Sequence, residues 1–70
     1  MENNIKWENP IINGRVRHDI IYYKDEDVII ATVVIPLMHL HCDKGVFKLD
    51  ENQDLSVNSI IEILKLSNAL

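Results

Sequence analysis

The run Val28-Ile29-Ile30-Ala31-Thr32-Val33-Val34-Ile35 is β-branched or apolar at almost every position, whereas the chain before it tends to alternate. A continuous run of this kind reads as a strand covered on both faces. It is too short to cross a bilayer, which takes about 20 apolar residues as a helix, so protein must supply the cover.

Upstream, Ile5-Lys6-Trp7-Glu8 alternates, Asn9-Pro10 interrupts, and Ile11-Ile12 leads into Asn13-Gly14. Asn-Gly between apolar runs predicts a two-residue hairpin turn, because both residues tolerate the positive φ that the turn needs. The turn sets a register: Ile12 against Arg15, Ile11 against Val16, Asn9 against His18, Trp7 against Ile20 and Ile5 against Tyr22. Ile5, Trp7, Ile11, Val16, Ile20 and Tyr22 then share a core face. Pro10, lacking a donor, marks an edge strand. The charged connection Lys24-Asp25-Glu26-Asp27 pairs Tyr23 with Val28 and Tyr22 with Ile29, adding Ile29, Ala31, Val33 and Ile35 to that face. The second face receives Ile12, Ile21, Tyr23, Val28, Ile30 and Val34, with Arg15, Arg17, Asp19 and Thr32.

Pro36-Leu37 admits two readings. A turn there sends Met38 and Leu40 to the core face and His39 and His41 to the second face, near Val34 and Thr32. A strand continuing through Pro36 reverses all four. Asp43-Lys44-Gly45 predicts a hairpin loop with a left-handed glycine, returning through Val46-Phe47-Lys48-Leu49. Asp50 to Asp54 is a polar linker. Ser56 is a good helix N-cap, with Val57, Ile60, Ile61 and Leu64 at helical spacing and Ile63 and Leu66 widening the stripe. The fold class is α+β: one domain over residues 1–70, an antiparallel β-meander of four to five strands with one C-terminal α-helix packed on one face.

One helix covers one face, so the second, apolar face predicts an interface. Composition sharpens that expectation. The chain has 70 residues, 47% hydrophobic and 26% charged, which is globular rather than disordered. Chains this short bury only about 60% of their extended surface. The single cysteine, Cys42, excludes an intramolecular disulfide. Self-association as a homodimer is the expected remedy. The net charge of −4, with acids clustered in Asp25-Glu26-Asp27 and in Asp50, Glu51 and Asp54, disfavours nucleic acid as a direct ligand. Met1 leads into Glu2-Asn3-Asn4, neither the basic nor the apolar part of a signal peptide, which predicts a cytoplasmic protein. Usage rich in Ile, Asn, Lys and acids fits an AT-rich coding sequence such as that of a low-GC bacterium or its phage.

His39-Leu40-His41 is the pattern closest to chemistry, since residues two apart on a strand project side by side and can share a metal. It specifies no third ligand. His41 and Cys42 leave a strand on opposite faces, which argues against thiolate catalysis. Arg15 and Arg17, with Lys6, form a basic spot for a phosphate or an acidic contact. Trp7 and Tyr22 fall in the expected core, which leaves Tyr23 as the available aromatic anchor. Several strands followed by one short helix resembles, in outline, small antitoxin-like and phage inhibitor proteins, with no motif that carries residues over.

The sequence therefore predicts a non-enzymatic interaction or regulatory protein that binds and modulates, or inhibits, a larger protein, as a homodimer and without a cofactor. Its expected interface is Tyr23, Val28, Ile30, Val34, Ile63 and Leu66. The alternatives are a metal-binding protein using His39 and His41, and a nucleic-acid-associated regulator of antitoxin type using Arg15 and Arg17.

Overall fold

Asn13 and Gly14 turn the first hairpin with φ of 53° and 78°. The predicted pairs Ile11↔Val16 and Ile12↔Arg15 form between β2 (Ile11–Ile12) and β3 (Arg15–Val16). This short ladder is separate from the main sheet, and Ile11 and Val16 are exposed rather than in the core. The reason is the backbone around Pro10. Its carbonyl still accepts from the Arg17 N–H at 2.8 Å, but its nitrogen has no hydrogen to donate, and the opposite side turns at His18-Asp19. Pairing resumes as Glu8↔Tyr22 and Trp7↔Tyr23 between β1 (Ile5–Glu8) and β4 (Ile20–Asp25), three residues out of step with the predicted register. Asn9 fastens the break, its side-chain amide donating to the Ile20 carbonyl at 2.7 Å. An odd slip reverses every side chain of a strand. Ile21 and Tyr23 are therefore buried, and Ile20 and Tyr22, expected in the core, lie on the other face.

The computed structural model describes residues 4–70; Met1-Glu2-Asn3, which enter the reading of the N-terminus, lie outside them. The main sheet is antiparallel, in the order β1-β4-β5-β6-β7, with β5 at Val28–Val34, β6 at His39–Cys42 and β7 at Gly45–Lys48. With the C-terminal helix α1 (Val57–Leu66) packed on it, the fold is α+β as predicted. The connection to β5 is tighter than expected. Asp25 pairs with Val28 across Glu26-Asp27, and Glu26 takes the left-handed φ of 57°. A bulge then shifts the register between Tyr23↔Ala31 and Lys24↔Ile29. The extra residue, Ile30, packs against the core, while Ile29 stays opposite Lys24.

At Pro36 the chain turns. Met38 donates to the Ile35 carbonyl at 3.0 Å and sits at φ 50°, so Leu40 is buried and His39 and His41 face away from the helix, opposite Val34 and Thr32. Gly45, at φ 125°, opens β7 after Asp43-Lys44. The core lies between the sheet and α1: Ile21, Tyr23, Ala31, Val33 and Leu40 from the strands, Leu49 after them, and Ile60 and Leu64 from the helix. Trp7, expected there, is 54% exposed, because β1 is an edge strand and the core cluster sits over the middle of the sheet.

A local cap starts the helix, and one polar contact ties its leading segment to the sheet. Ser56 caps it by accepting from the Ser59 N–H, and Asp54 accepts from the Ser56 N–H at 3.0 Å and the Ser59 hydroxyl at 2.9 Å. These bonds hold the Asp54 carboxyl below the usual carboxylate range. The Tyr23 hydroxyl, at the end of a side chain with no exposure, donates to the Leu55 carbonyl at 2.6 Å. Burial, and secondarily the Asp54 charge, push its pKa up to about 12.

Because the unfolded chain releases this proton near pH 10 and the native one keeps it, the Tyr23 contribution is complete below pH 10 and is lost on the way to pH 12. Urea unfolding should show stability falling by about 2–3 kcal/mol across that interval. Tyr23→Phe should cost about 1 kcal/mol at pH 7, for the lost hydrogen bond, and should flatten the alkaline slope.

Candidate interaction surface

Cross-strand partners share a face, so the register assigns the side of the sheet turned away from α1. Its central row runs Glu8, Tyr22, Thr32, His41, Val46 across all five strands. Beside it runs Ile20, Val34, His39, Lys48, and on the other side Lys6, Lys24, Ile29. The helix packs on the opposite side, and among the described residues neither it nor the β2–β3 hairpin lies over these rows. The face is graded rather than uniformly apolar. Ile20, Tyr22, Thr32, Val34 and His39 are half-buried by their neighbours, and Ile29, His41 and Val46 are exposed.

Lysines occupy two opposite corners. Lys24 reaches the Glu8 carboxylate at 3.4 Å, and the Lys48 ammonium donates to the Leu37 carbonyl at 2.8 Å. Lys6 stands directly across from Lys24. Glu8 is the sole carboxylate on the face among the described residues, in a chain whose net charge is −4. The acids Asp25, Glu26, Asp27 and Asp43 stand in turns or at strand ends, and Asp50, Glu51 and Asp54 in the segment before the helix.

Of the six expected interface residues, Val34 alone lies on this face. Tyr23 is wholly buried, because the odd slip at Pro10 turned it toward the helix. Ile30 packs against the core through the bulge, and Ile63 packs there from the helix. Val28 is 65% exposed but pairs with Asp25, on Tyr23's side of β4. Leu66, 85% exposed, is on the side of the helix away from its buried residues Ile60, Ile61 and Leu64. The surface is carried instead by Ile20, Tyr22, Ile29 and the lysines. One signal in the sequence pointed to them: Lys24 shares parity with Ile20 and Tyr22, and lysine is almost never fully buried.

His39 and His41 do project side by side, with ring centroids 6.4 Å apart. No group of three His, Cys, Asp or Glu side chains able to hold a metal occurs among the described residues. Cys42 leaves β6 on the helix side, opposite His41. An open pocket of about 450 Å³ at the end of β5 and β6 is lined by Ile29, Ile30, Ala31, Thr32, His41, Cys42, Asp43 and Ala69. Arg15 and Arg17 belong to the β2–β3 region, and Arg17 is engaged by Asp19 through bonds of 3.0 and 2.8 Å. That pairing lowers the Asp19 pKa and raises that of Arg17.

Comparison with protein-family models, curated proteins and solved structures gives no match. No helix among the described residues is long and apolar enough to cross a membrane.

The face assignment makes adjacent residues respond oppositely. Val33→Asp places a carboxylate at a position with no exposure and should unfold the chain, whose whole stability is on the order of 4–10 kcal/mol. Val34→Asp should keep the far-ultraviolet dichroism spectrum and a cooperative melt within about 1–2 kcal/mol of the parent.

Proposed function

We propose that this chain is a small non-enzymatic interaction protein that docks a larger protein on the open face of its sheet and modulates that partner by occupying it. The observation that carries the reading is the half-covered sheet. Ile20, Tyr22 and Val34 form an apolar centre on the adjacent strands β4 and β5, on a face over which no element packs among the described residues. An apolar centre inside a polar rim is the anatomy of a binding surface. Binding there modulates by surface complementarity and requires no catalytic group or cofactor.

A cytoplasmic homodimer is a second reading, and the small core favours it. The buried hydrophobic residues form one thin layer between the sheet and a ten-residue helix. A second copy over the same face would thicken that layer, and mass action would then stabilise both copies.

Light scattering on a size-exclusion column separates these uses. A mass of twice 8.1 kDa that Val34→Asp halves supports the homodimer, whereas 8.1 kDa across the concentration range overturns it. For the docking reading, the immobilised chain and its Val34→Asp and Leu66→Asp variants are exposed to extract of the source cells. Retention of a protein by the parent and by Leu66→Asp, with loss on Val34→Asp, is the expected result. Retention indifferent to Val34→Asp overturns docking on the sheet face.

A further inference from the structure

The docking reading leaves open what chemistry the partner brings, and the distribution of charge on the face addresses it. Lys6 and Lys24 are directly opposed across β1 and β4. Like charges in that position destabilise a strand pair, and here one carboxylate, Glu8, offsets them at 3.4 Å from Lys24. Lys48 stands at the far corner of the same face. Three of the seven basic side chains stand on this face against one carboxylate, Glu8, while Arg15, Arg17, Lys44 and Lys65 lie elsewhere, so the open face is locally positive in a chain of net charge −4.

We infer that the open sheet face receives an acidic segment of another protein, one whose carboxylates meet Lys6, Lys24 and Lys48 while its aliphatic side chains cover Ile20, Tyr22 and Val34. This inference rests on the docking reading and specifies its partner. Opposed potentials across an interface favour the right partner and penalise like-charged ones. A second copy presents the same lysines and brings positive charge to positive charge. A nucleic acid carries dense, regular negative charge along its whole length, past the acidic Asp25-Glu26-Asp27 and Asp43 turns as well as the lysines. A protein segment can place carboxylates at the lysine corners and apolar groups between them.

The test uses the full ¹⁵N-labelled chain titrated with short synthetic peptides that alternate glutamate and valine, lysine and valine, or serine and valine, and with an oligothymidylate. The expected result is that the glutamate–valine peptide binds about tenfold tighter than the serine–valine one, the size of effect that two or three exposed charge pairs produce. Amide shifts should centre on Tyr22, Thr32 and His41, and affinity should fall as salt is raised. Lys24→Glu with Lys48→Glu should remove the preference while leaving the spectrum dispersed, and the salt dependence of the unaltered chain provides the same readout without a variant.

Equal binding of all three peptides on this face overturns the acidic partner while the docking reading stands. Failure of the glutamate–valine peptide to bind, or shifts confined to the helix side, also overturns it. A preference for oligothymidylate replaces the protein segment with single-stranded nucleic acid. The docking reading fails separately, when retention from extract ignores Val34→Asp.

Discussion

The three-residue offset between the two sides of the first hairpin, taken up at Pro10 and the His18-Asp19 turn, decides which half of β4 meets the helix. With it, Ile21 and Tyr23 enter the core beside Ala31 and Val33, and the Tyr23 hydroxyl reaches the Leu55 carbonyl just ahead of the helix. That bond connects sheet and helix through a buried polar group whose partner is supplied, as such groups require. Without the offset, Lys24 would share a face with the core residues of β4. The bulge at Ile30 is the matching adjustment on β5, allowing a tight Glu26-Asp27 turn while keeping Ala31 and Val33 over the helix.

Much of the architecture was legible in local chemistry. Asn13-Gly14, the Pro36 turn with its effect on His39 and His41, the glycine-containing β6–β7 connection and the Ser56 cap are all decided by a few adjacent residues. The parity of β4 was not, for a physical reason. Ile20-Ile21-Tyr22-Tyr23 is apolar on both sides, so its alternation is silent, and the register had to be carried from the turn through Pro10. An assumption of uninterrupted pairing there inverts all that follows, including the expected anchor Tyr23. The bulge is hidden for the same cause, inside a run with no polar residue until Thr32 to report a slip.

The candidate surface follows from the same parity. Turning Tyr23 inward turns Tyr22 and Lys24 outward, and the opposing strands place Lys6, Val34, His39 and His41 around them. A helix of ten residues covers the middle of one side of such a sheet. The other side is then composed by what the strands leave over: Ile20, Tyr22, Thr32 and Val34 beside His39 and His41 at the centre, with lysines at two corners.

The segment Arg17-His18-Asp19 also constrains how this chain can vary in length. Adding or removing two residues there preserves which side chains of β4 point at the helix, since a strand repeats every second residue. Adding or removing one leaves an odd residue that the turn itself must absorb, because a β4 turned over would bury Lys24 and expel Tyr23. The turn is thus the place where the count of residues is reconciled with the core: the packed strands set the parity, and this short surface segment reshapes to meet it.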